Sequence, residues 1–213
     1  MAAKAWREAD DREEMHARKR RLILEAAARA FAESGYHQTS IDQIAARLQV
    51  TKPTIYYYVR NKDEILFQIA QTALDDLDER IAAAQQGNET ALQKLKLYFR
   101  IYARIINDDF GYCMAFVSDN VLKPPARAKL RRYKKEFELR VRHIIEAGRQ
   151  DGTVQVSDPR LFTFALFGAF NWMPQWYSDA GEVELDRIVD HFLAIFCAGG
   201  IAPGRAPDQV RAR

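Results

Sequence analysis

The chain of 213 residues contains only two cysteines, Cys113 and Cys197, far apart and without CxxC spacing. That excludes a disulfide framework and a thiolate zinc site, and points to a reducing compartment, the cytoplasm. Histidine is scarce as well. His16, His37, His143 and His191 are scattered, with no metal-ligand spacing and no nucleophile beside a base. Glycine-rich phosphate loops are absent. The longest apolar run, Leu161–Met173, is broken by Gly168 and Asn171 and is too short to cross a bilayer. The N-terminus is charged rather than apolar, so no signal peptide is expected. There is no internal repeat and no alternating strand pattern longer than a few residues. No catalytic residues, metal site, cofactor or membrane partner are therefore expected, and the fold class is all-α.

Of what is present, hydrophobic residues make up 48%, enough for a sizeable core. The net charge of +3 says little by itself, but its distribution is uneven. Residues 1–62 hold 12 Lys/Arg against 8 Asp/Glu, whereas residues 63–213 hold 20 against 21. A positive surplus confined to one end is what phosphate contact requires.

That end contains the most informative stretch, Thr39 to Leu66. Thr39 and Ser40 can cap a helix carrying Ile41, Ile44, Ala45 and Leu48 on one face, with Gln43 and Arg47 off it. Gln49-Val50-Thr51 makes a turn, with Val50 pointing inward. Thr51 caps a second short helix, and Pro53 sits in its first turn, where a missing N–H costs little. Ile55 and Val59 return to the core. Lys52, Thr54, Tyr56 and either Tyr57 or Tyr58 are left outside, as donors, a methyl and phenolic hydroxyls that suit base edges or phosphates. Asn61 caps the next helix, and Lys62 beside its positive end is a natural phosphate clamp. This is the build of a helix-turn-helix. Arg18-Lys19-Arg20-Arg21 just ahead of it is either a solvated face or a further phosphate contact.

These residues resemble the TetR family of bacterial transcriptional regulators. The likeness is carried by the helix Lys19–Ser34, Gly35-Tyr36, Thr39-Ser40, Ile44-Ala45, Val50-Thr51-Lys52, Thr54–Tyr58 and Asn61–Leu66. It implies an N-terminal three-helix DNA-binding domain and a C-terminal helical ligand-binding and dimerisation domain. It further implies DNA contact by Lys52, Pro53, Thr54, Tyr56 and Lys62, and Thr39, Ser40, Gln43, Thr51 and Tyr57 complete the expected DNA-binding set. One departure is Gln49, where the family usually has glycine. A non-glycine residue in a left-handed turn costs on the order of 1 kcal/mol.

The expected division is a flexible arm over 1–16, the helix-turn-helix domain over 17–62, the ligand-binding and dimerisation domain over 63–198 and a disordered tail over 199–213. Helices are expected over 63–86, 90–107, 108–121, 124–147, 160–177 and 185–198. The helix Arg160–Tyr177 is apolar nearly all round and must be buried on every side. A second copy of the chain is the economical cover, with Ala165, Ala169, Phe170 and Trp176 at the homodimer interface and a near-palindromic double-stranded operator as partner.

Aromatic residues at helical spacing suggest a cavity for a small apolar effector, with Phe99, Tyr102, Phe116, Phe167, Asn171 and Trp172 as candidate ligand contacts. The helix from Ala126 adds Arg127, Lys129, Arg131, Arg132, Lys134 and Lys135, six cations with little local acidic compensation beyond a Glu136–Arg140 pair. Arg127, Arg131 and Lys135 are the candidate contacts for an anion. The segment Asn171-Trp172…Trp176-Tyr177 resembles TetR-type regulators of fatty acid and steroid degradation, which implies an acyl-CoA effector. The alternatives are the same regulator answering to a hydrophobic drug or aromatic compound, an acyl-CoA-processing enzyme, and a ligand-free architectural DNA-binding protein. Repression is the family's commoner mode.

Overall fold

The computed structural model describes residues 2–85, 87–178 and 180–197, with side chains over 13–85, 87–178 and 180–196. Among these the chain is all-α. Helix α1 (Ala2–Ser34) is followed by two short helices, α2 (Ile41–Arg47) and α3 (Lys52–Tyr58), and by the long α4 (Lys62–Ala84). There follow α5 (Ala91–Ile106), α6 (Asp109–Phe116), α7 (Pro124–Gln150), α8 (Pro159–Asn171) and α9 (Leu185–Cys197). Two single 3-10 turns, Asp119–Val121 and Met173–Gln175, interrupt the connections. The tail expected to be disordered over 199–213 lies outside the described residues.

Local chemistry sets most of these boundaries. Ser40 and Gln43 form a capping box at α2, and Thr90 and Gln93 form another at α5. Thr51, Asn61, Asp108 and Asp158 cap α3, α4, α6 and α8. Gly35 ends α1 with φ of +82°, the left-handed region that glycine enters without a Cβ penalty.

Two expectations are corrected here. Residues 2–16 do not form a separate arm: α1 is helical from Ala2, because the segment is rich in Ala, Glu, Arg and Met and has neither glycine nor proline. The helix expected over Arg160–Tyr177 stops at Asn171. Pro174 has no N–H to donate to Phe170 and biases the residue before it away from helix, so the chain tightens into a 3-10 turn.

One hydrophobic core runs the length of the molecule. It begins at Ile23, Ala27 and Phe31 of α1, passes Ile44 and Ile55, and continues through Ile65, Leu66 and Ile69 of α4. From there it extends to Phe99, Phe137, Phe170 and Leu193. Helix α6 packs against both α1 and α4, and Arg29 of α1 holds Asp109 at its start at 2.6 Å. The helix-turn-helix is thus built onto the body of the protein.

Candidate nucleic-acid interface and internal cavity

Helix α3 presents its expected outer face. Tyr57 is 73% exposed and Tyr56 47%, while Ile55 and Val59 are buried beneath them. The Thr51 hydroxyl accepts from the Thr54 amide at 3.4 Å, and the two threonine hydroxyls lie 2.9 Å apart. Lys52 reaches Asp42 of α2 at 2.9 Å, and this hydrogen bond raises its pKa. Tyr57 and Tyr58 both pack on the ring of His16, at 5.7 and 4.7 Å. The N-terminal part of α1 therefore reaches the reading helix, which the sequence did not suggest. Gln49 adopts φ of +56°, the left-handed turn expected for it.

Three expected orientations are corrected. Val50 is exposed rather than inward. Thr39 is buried, and its hydroxyl donates to the carbonyls of Ala30 at 3.0 Å and Gly35 at 2.9 Å, so it ties α1 to α2 instead of facing a duplex. Lys62 turns inward too. Its ammonium donates to the carbonyls of Tyr36 at 2.6 Å, Thr39 at 2.8 Å and His37 at 3.4 Å, and lies 4.3 Å from the Tyr36 ring. Three donors on three carbonyls leave none for a phosphate. Burial pushes the Lys62 pKa down, with Asp63 opposing. Gln43 is exposed as expected, and its side-chain oxygen accepts the Ser40 amide at 2.7 Å. Pro53 is exposed on the same face.

In the larger domain a cavity of about 250 Å³ opens between α4, α5, α6, α7 and α8. Tyr102, Phe167 and Asn171 line it, as the sequence suggested, beside Leu74, Met114 and Phe137. The Tyr102 hydroxyl donates to the Asn171 side-chain oxygen, and burial raises the phenol's pKa. Two charged residues in the wall were missed, Lys134 and Glu138. Lys134 is exposed by area, yet burial of its ammonium lowers its pKa, with Asp119 opposing. The Glu138 carboxylate is desolvated, but hydrogen bonds from Lys135 and Arg142 hold it below the usual range. A signal was present. Lys134 falls four residues after Leu130 and three before Phe137, within the buried stripe of α7.

Six other ligand candidates do not line this cavity. Phe99 is core, stacked on Phe170 at 4.5 Å and Phe167 at 5.7 Å. Phe116 and Trp172 face outward, Trp172 at 63% exposure. Arg127 donates to the Leu122 carbonyl at 3.2 Å. Arg131 holds Asp119 at 3.1 Å and Asn120 at 2.9 Å, and Lys135 pairs with Glu138. The basic helix is therefore better compensated than its sequence suggested. Glu136 pairs with Arg132, not Arg140, and Arg140 takes Asp78 from α4.

At the proposed interface, Ala165 and Trp176 are exposed and Ala169 is partly covered. Phe170 is fully buried against Phe99 and Phe192, so it belongs to the core of one chain. Leu161, Phe164, Gly168 and Trp172 instead form the outer stripe of α8, with Leu161 at 63% exposure.

Among the described residues no helix is long and apolar enough to cross a membrane, and no side-chain group could hold a metal ion.

Comparison with known proteins agrees with this architecture. Residues 23–69 match the family model described as bacterial regulatory proteins, tetR family. Residues 88–200, more than half the chain, match the tetracyclin repressor-like C-terminal domain. The chain is 26% identical over 182 residues to the fatty acid metabolism regulator protein of Bacillus subtilis (strain 168), covering 83% of this chain and 93% of that one. It is 26% identical over 192 residues to the HTH-type transcriptional repressor KstR2 of Rhodococcus jostii (strain RHA1), covering 87% and 92%. The structure of AibR in complex with isovaleryl coenzyme A and operator DNA shares the fold, with a TM-score of 0.75 at 24% identity, covering 84% of this chain and 97% of that one. The chain belongs to the TetR family, whose members are transcriptional regulators and not enzymes.

Proposed function

We propose that this regulator is a cytoplasmic homodimeric repressor that leaves a near-palindromic operator when an acyl-CoA fills the α4–α8 cavity. The observation that carries the reading is the cavity's composition. An apolar wall from Leu74, Met114, Phe137 and Phe167 meets a small polar set, Tyr102, Asn171, Lys134 and Glu138, with Glu138 already paired to Lys135 and Arg142. That combination suits an apolar chain ending in a carbonyl or an anionic group. The volume, about 250 Å³, lies just under the roughly 300–1,000 Å³ common for small-molecule sites, and favours short or branched acyl groups. The name of the Bacillus relative and the ligand of the AibR complex support the same class.

On the DNA side, Ser40, Thr51, Lys52, Pro53, Thr54, Tyr56 and Tyr57 make the reading surface, with Gln43 at its edge. Reading is assigned to residues 17–62, and effector binding and dimerisation to 63–198. The outer stripes of α8 and α9 pair two copies, so that two α3 helices meet half-sites one helical turn apart. Release requires the effector to prefer the conformation that binds DNA badly, since equal affinity for both shifts nothing.

A second reading keeps the regulator and replaces the effector by a hydrophobic aromatic compound, favoured by the rings of Tyr102, Phe137 and Phe167 around one cavity. The test is an operator recovered by random-site selection, followed by displacement measured by fluorescence anisotropy with acyl-CoAs from acetyl to stearoyl. Short acyl-CoAs should displace the protein. Absence of an enriched sequence would end the reading-surface assignment, and displacement by aromatic acids alone would favour the second effector.

A further inference from the structure

A second hollow follows the cavity along the seam between α4 and α7. It is an open groove of about 640 Å³, lined by Arg20 of α1, Arg60 before α4, Phe67 of α4, and Lys123 and Lys129 at the start of α7. The two seam helices run parallel, since Phe67 meets Tyr133 at 6.2 Å and Asp78 meets Arg140 further along. Groove and cavity therefore lie at successive levels of the same two helices, with no lining residue in common. Phe67 precedes Leu74, and Lys129 precedes Lys134, by roughly 8–10 Å of helix.

The groove's charges are unbalanced. Among the described residues none of its four cations forms an ion pair. Arg20 donates to the Gln68 side-chain oxygen at 2.9 Å, and the Lys129 ammonium lies 4.5 Å from the Phe67 ring centre. Two carboxylates also stand in the wall, so the cations exceed them four to two. Asp63 accepts from the Tyr36 hydroxyl, and Glu64 accepts the Arg60 amide at 2.6 Å and the Gln68 amide at 2.9 Å. The positive end of the 27-residue α7 opens at the same place, without a side-chain cap.

We infer that this groove holds the polyphosphate end of a conjugate whose acyl end occupies the cavity farther along α4 and α7. The inference rests on the acyl-CoA reading above and moves the anion away from Arg127, Arg131 and Lys135, which are bonded to their own chain. An apolar hollow and a basic one set along the same pair of helices match a ligand that is apolar at one end and multiply anionic at the other. Arg20 and Arg60 belong to the reading end of the molecule, and Lys123 and Lys129 to the other domain. An anion shared among them binds best at one relative position of the two, which makes its affinity depend on conformation.

The test uses calorimetry on the full chain with butyryl-CoA and with butyryl-pantetheine, the same thioester without phosphates. Lys123→Gln combined with Lys129→Gln should weaken butyryl-CoA binding by at least about tenfold and leave butyryl-pantetheine unchanged. Arg131→Gln should leave both unchanged. If wild type binds butyryl-CoA and the groove variant binds it equally well, the groove assignment is overturned while the acyl-CoA reading survives. If wild type binds neither compound nor any other acyl-CoA, both fall together. Operator affinity of the groove variant should equal that of wild type; a comparable loss would give the groove to duplex phosphates and overturn the inference. Should the double variant melt early, Lys123→Gln alone carries the comparison, at about threefold.

Discussion

At the scale of single residues, the turn between α2 and α3 stores strain that can be removed. Gln49 holds φ of +56°, and glycine reaches that conformation without a Cβ penalty. Gln49→Gly should raise stability by about 0.5–1 kcal/mol, the relief of strain exceeding the added freedom of the unfolded chain. Urea denaturation reads this directly, and a lower midpoint would show that the side chain contributes contacts worth more than the strain. Lys62 makes the opposite case. Lys62→Met removes three donors from the Tyr36–Thr39 carbonyls and should cost about 1–2 kcal/mol, discounted because the site is only partly buried. The salt dependence of operator binding should stay the same. An unchanged melting curve with a salt slope reduced by about 1 would return Lys62 to the phosphate backbone. The strained turn was legible because it depends on neighbours in sequence. The direction of Lys62 was not, because its partners lie more than twenty residues earlier in the chain. Lys134 stood between: its place in the apolar register of α7 was visible, but a run of six cations concealed it.

At the scale of helices, α8 shows where composition stops being informative. Its sequence is apolar on nearly every side, so burial could be expected but no inward face could be chosen. The fold chooses Thr163, Leu166 and Phe170, and leaves Leu161, Phe164, Gly168 and Trp172 outside. Leu161→Glu with Phe164→Glu should therefore give a folded monomer, because two charges enter a dimer interface that a lone chain leaves in water. Phe170→Ala should instead lower stability by about 3–5 kcal/mol, since the ring fills the space between Phe99 and Phe192. Sedimentation velocity separates these effects. If the charged pair still sediments as a dimer, or if wild type is a monomer at micromolar concentration, α8 is not the interface. Helix ends were read within a few residues wherever a cap or proline marked them. Two ends were missed: that of α6, expected at Val121 and found at Phe116, and that of α8, where Pro174 was in view but the aromatic run on both sides suggested continuity.

At the scale of the whole molecule, the two domains differ in how much of them the sequence discloses. The reading end is assembled from short-range pieces: a capping box at Ser40, a cap at Thr51, Pro53, and the Ile55–Val59 spacing. The cavity is assembled from five helices spread from Ala70 to Asn171, and which aromatic rings face it depends on how those helices rotate against one another. Tyr102 and Phe167 turned toward the space; Phe99, with the same spacing and the same chemistry, turned away. Their stripes were readable and their facing was not.

The core that runs from Phe31 through Ile65, Leu66 and Ile69 to Phe170 has a thermodynamic meaning beyond packing. Where apolar contacts are continuous, local opening of the reading helices draws on the same contacts that close the cavity, and the chain tends to melt as one cooperative body. A compound that binds the native chain alone then raises one shared melting temperature, wherever along the seam it sits. Heat resistance becomes a common register for cavity, groove and reading surface, and occupancy at any of the three is written into it.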